Sequence, residues 1–346
     1  MTIGPRLDSP DEGMIARLEA QLGVGKPATA QWAGPPDDPA VFAEVNRLCA
    51  QYGARLEVRF YGWYAQRGHF DAGIVRALPD VRRLSVDCLA SIDNEDAIAE
   101  LPHLESLYLG VFELPDGGLL AKLPLEQLTR ISLVENRKRN FDLAPLARCT
   151  KAEVVFVQGH TRGIGALSGL PRVRDLMLSG MPKKQPLAFV NAMPGLRDLH
   201  LILGSRASID EIAHDRLEKL TITWVRSLGL IGDLARFPAL RELIVEDQLQ
   251  VIEIDLAGAP IERLRVSNCK KLAALRGLDA LTSLEWFHAS QTTLDLDSLR
   301  DRAWPATTHS VGLFSGSLKW NEATKAALAA RGYTQFPDEP RLDTIS

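Results

Sequence analysis

The sequence has little cysteine, few aromatic residues and no excess of positive charge. Its four cysteines, Cys49, Cys88, Cys149 and Cys269, stand at least 39 positions apart in a chain of 346 residues. No CxxC pair exists, so neither a zinc cluster nor a disulfide framework is legible. The four are expected to be small buried hydrophobes in a reducing compartment. With 40 Lys and Arg against 44 Asp and Glu, the net charge is −4, which argues against a dedicated nucleic-acid binder. No run approaches the ~18 apolar residues that span a bilayer, so a membrane is not an expected partner either. The first residues, MTIGPRLDSPDEGMIARLEAQLG, lack a basic segment followed by an apolar one. No secretory leader is read, and a cytoplasmic protein is expected. Walker A, GxGxxG, GxSxG and HExxH patterns are all missing. No cofactor is therefore expected, and the common phosphate-binding, hydrolase and zinc-protease signatures are excluded.

Leucine, by contrast, is abundant: 52 residues, about 15% of the chain, with 44 of them between Leu78 and Leu313. The segment LPHLESLYLG, Leu101 to Gly110, sets a template of apolar residues. Its second strand-like apolar position recurs at Leu84, Leu107, Ile131, Val155, Leu176, Leu199, Leu220, Leu243, Leu264, Phe287 and Val311, with gaps of 21 to 24 residues. Within each unit, as in Leu107-Tyr108-Leu109 or Leu243-Ile244-Val245, apolar and variable residues alternate, the period of a strand with one buried face. Upstream of many strands a second apolar set ends at proline: Leu78-Pro79, Leu101-Pro102, Leu170-Pro171, Met193-Pro194 and Phe237-Pro238. Proline ends a helical turn and has no amide to donate. Each unit is thus expected to be one short strand and a helical or 3₁₀ return.

The repeat resembles the leucine-rich repeat family, most clearly in Leu128-Thr129-Arg130-Ile131-Ser132-Leu133-Val134-Glu135-Asn136 and Ile261-Glu262-Arg263-Leu264-Arg265-Val266-Ser267-Asn268-Cys269. The repeat length is similar to that of the short bacterial and internalin-like classes. The resemblance implies an α/β solenoid with a concave parallel sheet of about 11 strands, short helical or 3₁₀ turns on the convex side, and a protein partner. The family's Asn or Cys position is met only by Asn136 and Cys269; elsewhere it holds Leu89, Phe112, His160, Met181, Gly204, Val225, Gln248, Thr292 or Gly316. The buried side-chain ladder that serves loop amides is therefore expected to be mostly absent.

A single unit cannot bury its own apolar edge, so stacked units need caps. Residues 1–77 are read as a helical N-terminal cap with a first strand at Leu56–Phe60, 78–316 as the repeats, and 317–346 as a capping helix and tail. Ser9-Pro10-Asp11-Glu12 is read as a capping box, and Asp38-Pro39 as the start of a second helix ending near Gly53. Asn321 is read as the cap of a last helix stopping at Gly332, and 24–37 as a loop. Phe60, Tyr61, Trp63 and Tyr64 are expected to pack the open end of the core.

The variable strand positions line the exposed face. Tyr108, Phe156, Met177 and Ile202, with Val134 and Val154 nearby in the rows, form an apolar zone that marks a partner site or a covered surface. Further on the face is charged and aromatic, with Glu242, Arg263, Arg265, Trp286 and His288, residue types that anchor interfaces. One of the two arginines can pair with Glu242; the other is expected to be free for an acidic partner. Asp198 and His200 complete the candidate partner-binding set. Three classes of function follow. The first is a non-enzymatic protein-binding scaffold, with an inhibitor or immunity-type binder as its specialisation. The second is an enzyme or metal site at Asp175, Asp198 and His200. The third is a structural homo-oligomer, such as a homodimer, joined through the apolar stripe. His160, His288 and His309 are expected at the surface.

Overall fold

The structure, a computed structural model, describes residues 6–34, 40–62, 69–87, 90–114, 117–139 and 141–337. They belong to two units, divided between Val173 and Arg174. The first unit holds strands β1 (Arg6–Asp8), β2 (Ala28–Trp32), β3 (Leu56–Tyr61), β4 (Arg83–Asp87), β5 (Ser106–Leu109), β6 (Arg130–Leu133) and β7 (Val154–Gln158). Each pairs in parallel with the next. The second holds β8 (Asp175–Ser179), β9 (Asp198–Ile202), β10 (Lys219–Thr223), β11 (Glu242–Glu246), β12 (Arg263–Ser267), β13 (Trp286–Ser290) and β14 (Ser310–Phe314). These too pair in parallel in sequence order. The described chain is thus rich in parallel strands, fourteen in these two sets, and poor in helix.

From β4 onward, the second residue of every strand is the apolar position read from the repeat. Pairs such as Leu176 and Leu178, Leu199 and Leu201, and Leu264 and Val266 are at most 3% exposed. The returns supply the rest of the core. Val190, Met193 and Leu196 precede β9, and Leu234, Phe237 and Leu240 precede β11; all are fully buried. Their backbone closes in i→i+3 bonds, with Met193 N donating to Val190 O at 3.1 Å and Phe237 N to Leu234 O at 2.9 Å. The proline that follows each turn stops it there and sends the chain back into the sheet.

The N-terminal region departs from the expectation of a helical cap. Segment 24–37, read as a loop, contains β2, whose five residues are all buried. The strand is short, and its flanking Gly and Pro residues hid it; burial of Trp32 decides its place. Trp32 lies 5.0 Å from Phe42 and 5.7 Å from Phe60 between ring centroids. With β1 and β3 the count of parallel strands exceeds the eleven expected from the leucine pattern. Helix α1 (Glu12–Gly23) is capped by Asp11 and not Ser9: the Asp11 carboxylate accepts from Met14 N at 2.8 Å, while Ser9 takes φ 43. Helix α2 (Val41–Tyr52) ends at Gly53, φ 57. Asp38, Pro39, Trp63, Tyr64, Cys88 and Leu89 lie outside the described residues. The last helix, α3 (Leu318–Ala330), is capped by Ser317, whose hydroxyl accepts from Trp320 N. Asn321 sits inside it and accepts from Ser315 N at 2.8 Å.

The inner polar ladder is partly rebuilt with other residues. His160 is fully buried, not at the surface, and its Nε2 donates to Val134 O at 3.1 Å. Buried Gln248 donates from Nε2 to Glu246 O at 2.7 Å, and Cys269 Sγ lies 3.5 Å from Val245 O. A buried loop carbonyl needs a donor of the right reach, and imidazole, amide and thiol all supply one. Met181 and Val225 fill the same position with apolar bulk. Among the described residues, no helix is long and apolar enough to cross a membrane.

Candidate functional site: the sheet face of the second unit

Strand pleating sends alternate residues to one face, and the parallel register lines them into rows across the second unit. The first row runs Asp175, Asp198, Lys219, Glu242, Arg263, Trp286 and Ser310. Beside it runs Met177, His200, Thr221, Ile244, Arg265, His288 and Gly312, followed by Ser179, Ile202, Thr223, Glu246, Ser267, Ser290 and Phe314. Nine of the eleven candidate partner-binding residues stand on this face. Tyr108 and Phe156 stand, half-buried, on the sheet of the first unit.

The charges pair within the face. Lys219 Nζ is 2.7 Å from Glu242 Oε1. Arg263 is 3.9 Å from Glu242 and also 3.9 Å from Glu285. Arg265 is not free of a carboxylate: its Nε lies 2.9 Å from Glu246 Oε1. The residue directly opposite Arg265 is Ile244, so the pair is diagonal. A long side chain reaches such a neighbour easily, and counting only residues directly opposite missed it.

Asp175 and Asp198 face one another in register, and His200 Nε2 is 3.8 Å from Asp175 Oδ1. Burial, reinforced by Asp175, raises the Asp198 carboxyl above its ordinary pKa. Burial and then Lys219 lower that of His200. Among the described residues no group of three or more His, Cys, Asp and Glu side chains is gathered so as to hold a metal. The three named residues therefore do not form a ligand set in this geometry. Burial pushes the thiols of Cys49 and Cys149 up to about 12 and that of Cys269 to about 11. They stay protonated near neutrality, which does not suit a nucleophile.

His288 is 7% exposed. Its ring lies 5.2 Å from Phe314, 6.1 Å from Trp286 and 6.2 Å from Phe336, so it belongs to an aromatic cluster and not to the solvated surface. Trp286 Nε1, His288 Nδ1 and Thr221 Oγ1 are buried polar atoms on this face with no hydrogen-bond partner among the described residues. Such atoms are uncommon in native proteins and call for a reason.

Burial, and secondly Arg265, lowers the His288 pKa to about 4. The ring is then neutral when folded, whereas an unfolded histidine protonates near pH 6.5. The unfolded chain binds more protons between those values, so the contribution is complete above pH 6.5 and is lost as pH falls toward 4. The loss from this group between pH 7 and pH 5 is expected to be about 2 kcal/mol. Urea unfolding at the two pH values should show that slope reduced in His288→Phe. Equal slopes in both proteins would refute the assignment.

The first unit carries a polar network on its own sheet that the sequence reading missed. Arg59 bonds Asp87 at 2.5 Å and Gln31 at 2.9 Å, Ser85 donates to Glu57 at 2.5 Å, and Tyr61 donates to Asp8 at 2.6 Å. The alternation in Leu56–Phe60 was visible, but without β2 the neighbour on the Gln31 side of Arg59 could not be assigned. No family model and no curated protein matches this chain. Its function is to be read from the chemistry of these faces.

Proposed function

We propose that this protein is a non-enzymatic, leucine-rich-repeat type scaffold that grips another protein with the sheet face of its strands, working in the cytoplasm. The carrying observation is the in-register array of Arg263, Arg265, Trp286 and His288, where buried Trp286 Nε1 and His288 Nδ1 lack partners within the described chain. Aromatic and arginine side chains held on a rigid sheet are efficient anchors, because little side-chain freedom remains to be lost on binding. The unsatisfied indole N–H of Trp286 favours a partner that brings an acceptor. The free, buried thiols of Cys49, Cys149 and Cys269 suit a reducing compartment. A preformed face, which lowers the ordering cost of binding, suits an inhibitor-type binder.

The test is capture with a photo-crosslinking residue on this face, followed by measurement of the dissociation constant of the captured protein. Arg265→Ala and Trp286→Ala are each expected to weaken that complex by about 1–2 kcal/mol, the size of an interface anchor. The arginine effect should shrink at high salt if the contact lies at a rim. A partner held with unchanged affinity by both variants, with circular dichroism intact, would move the binding surface elsewhere.

A further inference from the structure

Two short parallel strands of the first unit, His69–Asp71 and Ser91–Asp93, pair with each other outside the main sheet. Their middle residues, Phe70 and Ile92, are 0% and 1% exposed and anchor the pair inward. Strand alternation then sends His69, Asp71, Ser91 and Asp93 together to the outer side. The register sets His69 opposite Ser91 and Asp71 opposite Asp93. From that placement His69 Nδ1 lies 2.7 Å from Ser91 Oγ, and His69 Nε2 lies 2.7 Å from Asp93 Oδ2.

A carboxylate can only accept, so Nε2 carries the proton of the neutral ring and Nδ1 is left as an acceptor. The Ser91 hydroxyl therefore donates to Nδ1. Hydroxyl, imidazole and carboxylate stand in the order of nucleophile, base and orienting acid. Asp71, on the same side as His69, is engaged elsewhere: it accepts from Gly73 N and from Asn94 Nδ2, both at 2.8 Å. Glu113, bridged to Ser91 on its far side, pairs with Arg137 at 2.7 Å, and Arg76 pairs with Glu100 at 2.7 Å. A short pair of the same register in the second unit, Glu253–Asp255 with Ala274–Arg276, carries an ion pair at this place, Arg276 to Glu253 at 2.5 Å. Strand geometry by itself therefore does not require a hydroxyl on an imidazole.

We propose that Ser91 is an activated nucleophile and a site at which thioesters acylate this chain. Ser91 Oγ attacks the thioester carbonyl carbon while its proton passes to His69 Nδ1, and Asp93 holds the imidazolium that forms. The C–S bond then breaks, and the leaving thiolate takes the proton from Nδ1. The products are a Ser91 ester and a free thiol, with no change of oxidation state. A thiol of pKa about 8.5 is a good leaving group near neutrality. The His69 and Asp93 side chains are 42% and 63% exposed, so a reagent reaches the site from solvent. Its charge favours this class of electrophile, because Asp71 and Asp93 repel an acyl phosphate but not an uncharged thioester. One ester forms per chain, which is compatible with a binding protein, and the step does not depend on the face of the second unit.

The probe is S-phenyl thioacetate, incubated with the full chain and followed by peptide mapping in a mass spectrometer. Ser91 should gain an acetyl group that hydroxylamine removes, which separates the ester from lysine amides. Ser168 is the internal reference: it is half-exposed like Ser91, but its hydroxyl donates to the Gly165 carbonyl at 2.8 Å. It should react about tenfold more slowly, or less. His69→Gln should slow Ser91 acylation by about tenfold or more. The same variant should abolish the fall in rate at acid pH, where the imidazole protonates and ceases to be a base. Asp93→Asn should slow the reaction by about threefold or more, with circular dichroism unchanged in both variants. Equal rates at Ser91 and Ser168, or a Ser91 rate and pH profile unchanged in His69→Gln, would overturn the proposal.

Discussion

Replacing Phe60 by alanine is expected to destabilise the first unit by about 3–5 kcal/mol, the cost of removing a large buried ring whose site cannot collapse. Phe60 is fully buried. Its ring centroid lies 5.7 Å from Trp32, 6.2 Å from Phe42 and 5.1 Å from Phe70. These four rings come from β2, α2, β3 and the short strand His69–Asp71, so one truncation loosens four elements together. Such aromatic contacts add to the burial of area itself. Urea unfolding and hydrogen exchange at the amides of β2 and β3 give the measurement. A loss below about 1 kcal/mol would mean that the cluster is not the core of this end.

The second large effect is expected from Gly204→Ala. Gly204 has φ +76, and a β-carbon there would stand 2.4 Å from Met181 O and 2.8 Å from Met181 N. Both are backbone atoms of a neighbouring loop and cannot swing aside as a side chain would. The left-handed conformation costs a residue with a β-carbon roughly 1–2 kcal/mol, and forcing atoms into a packed site costs about 1–3 more. A total destabilisation of about 2–5 kcal/mol is therefore expected in urea unfolding. An unfolding midpoint unchanged in Gly204→Ala would show that the loop shifts freely. Neighbouring Leu203 makes the contrast useful: it already bears left-handed strain, at φ 59, in the open. The same backbone conformation is obligatory for one residue and tolerated by the next.

The strand positions were legible because the leucine period records burial directly. Every strand from β4 to β14 begins one residue before the apolar position read from the repeat. The three rows of the candidate face follow from it, since parallel strands with a common buried pair must share a register. Legibility failed where the pattern was short or the partner lay elsewhere. ATAQW carries no leucine, so β2 could be placed only by the packing of Trp32 on Phe42 and Phe60. His160 and Gln248 looked like breaks in the Asn/Cys position, although their side chains reach buried carbonyls much as the expected residues would. Neither Leu203 nor Trp224 carries any local signal of positive φ, because nothing in a leucine or a tryptophan favours it.

What the sequence by itself determined is the alternation of short strands and turns, which residues point inward, and which stand side by side on the outer rows. Periodicity suffices for that, because burying one face of each strand allows a single register. Only the tertiary structure decided which carboxylate each cation meets, where the backbone bears strain, and which buried polar atoms lack a partner. Lys219 and Arg265 each have more than one acid within reach in a row diagram, yet lie beside Glu242 and Glu246. Such choices rest on side-chain length, diagonal distance and local burial, none of which a one-dimensional pattern contains.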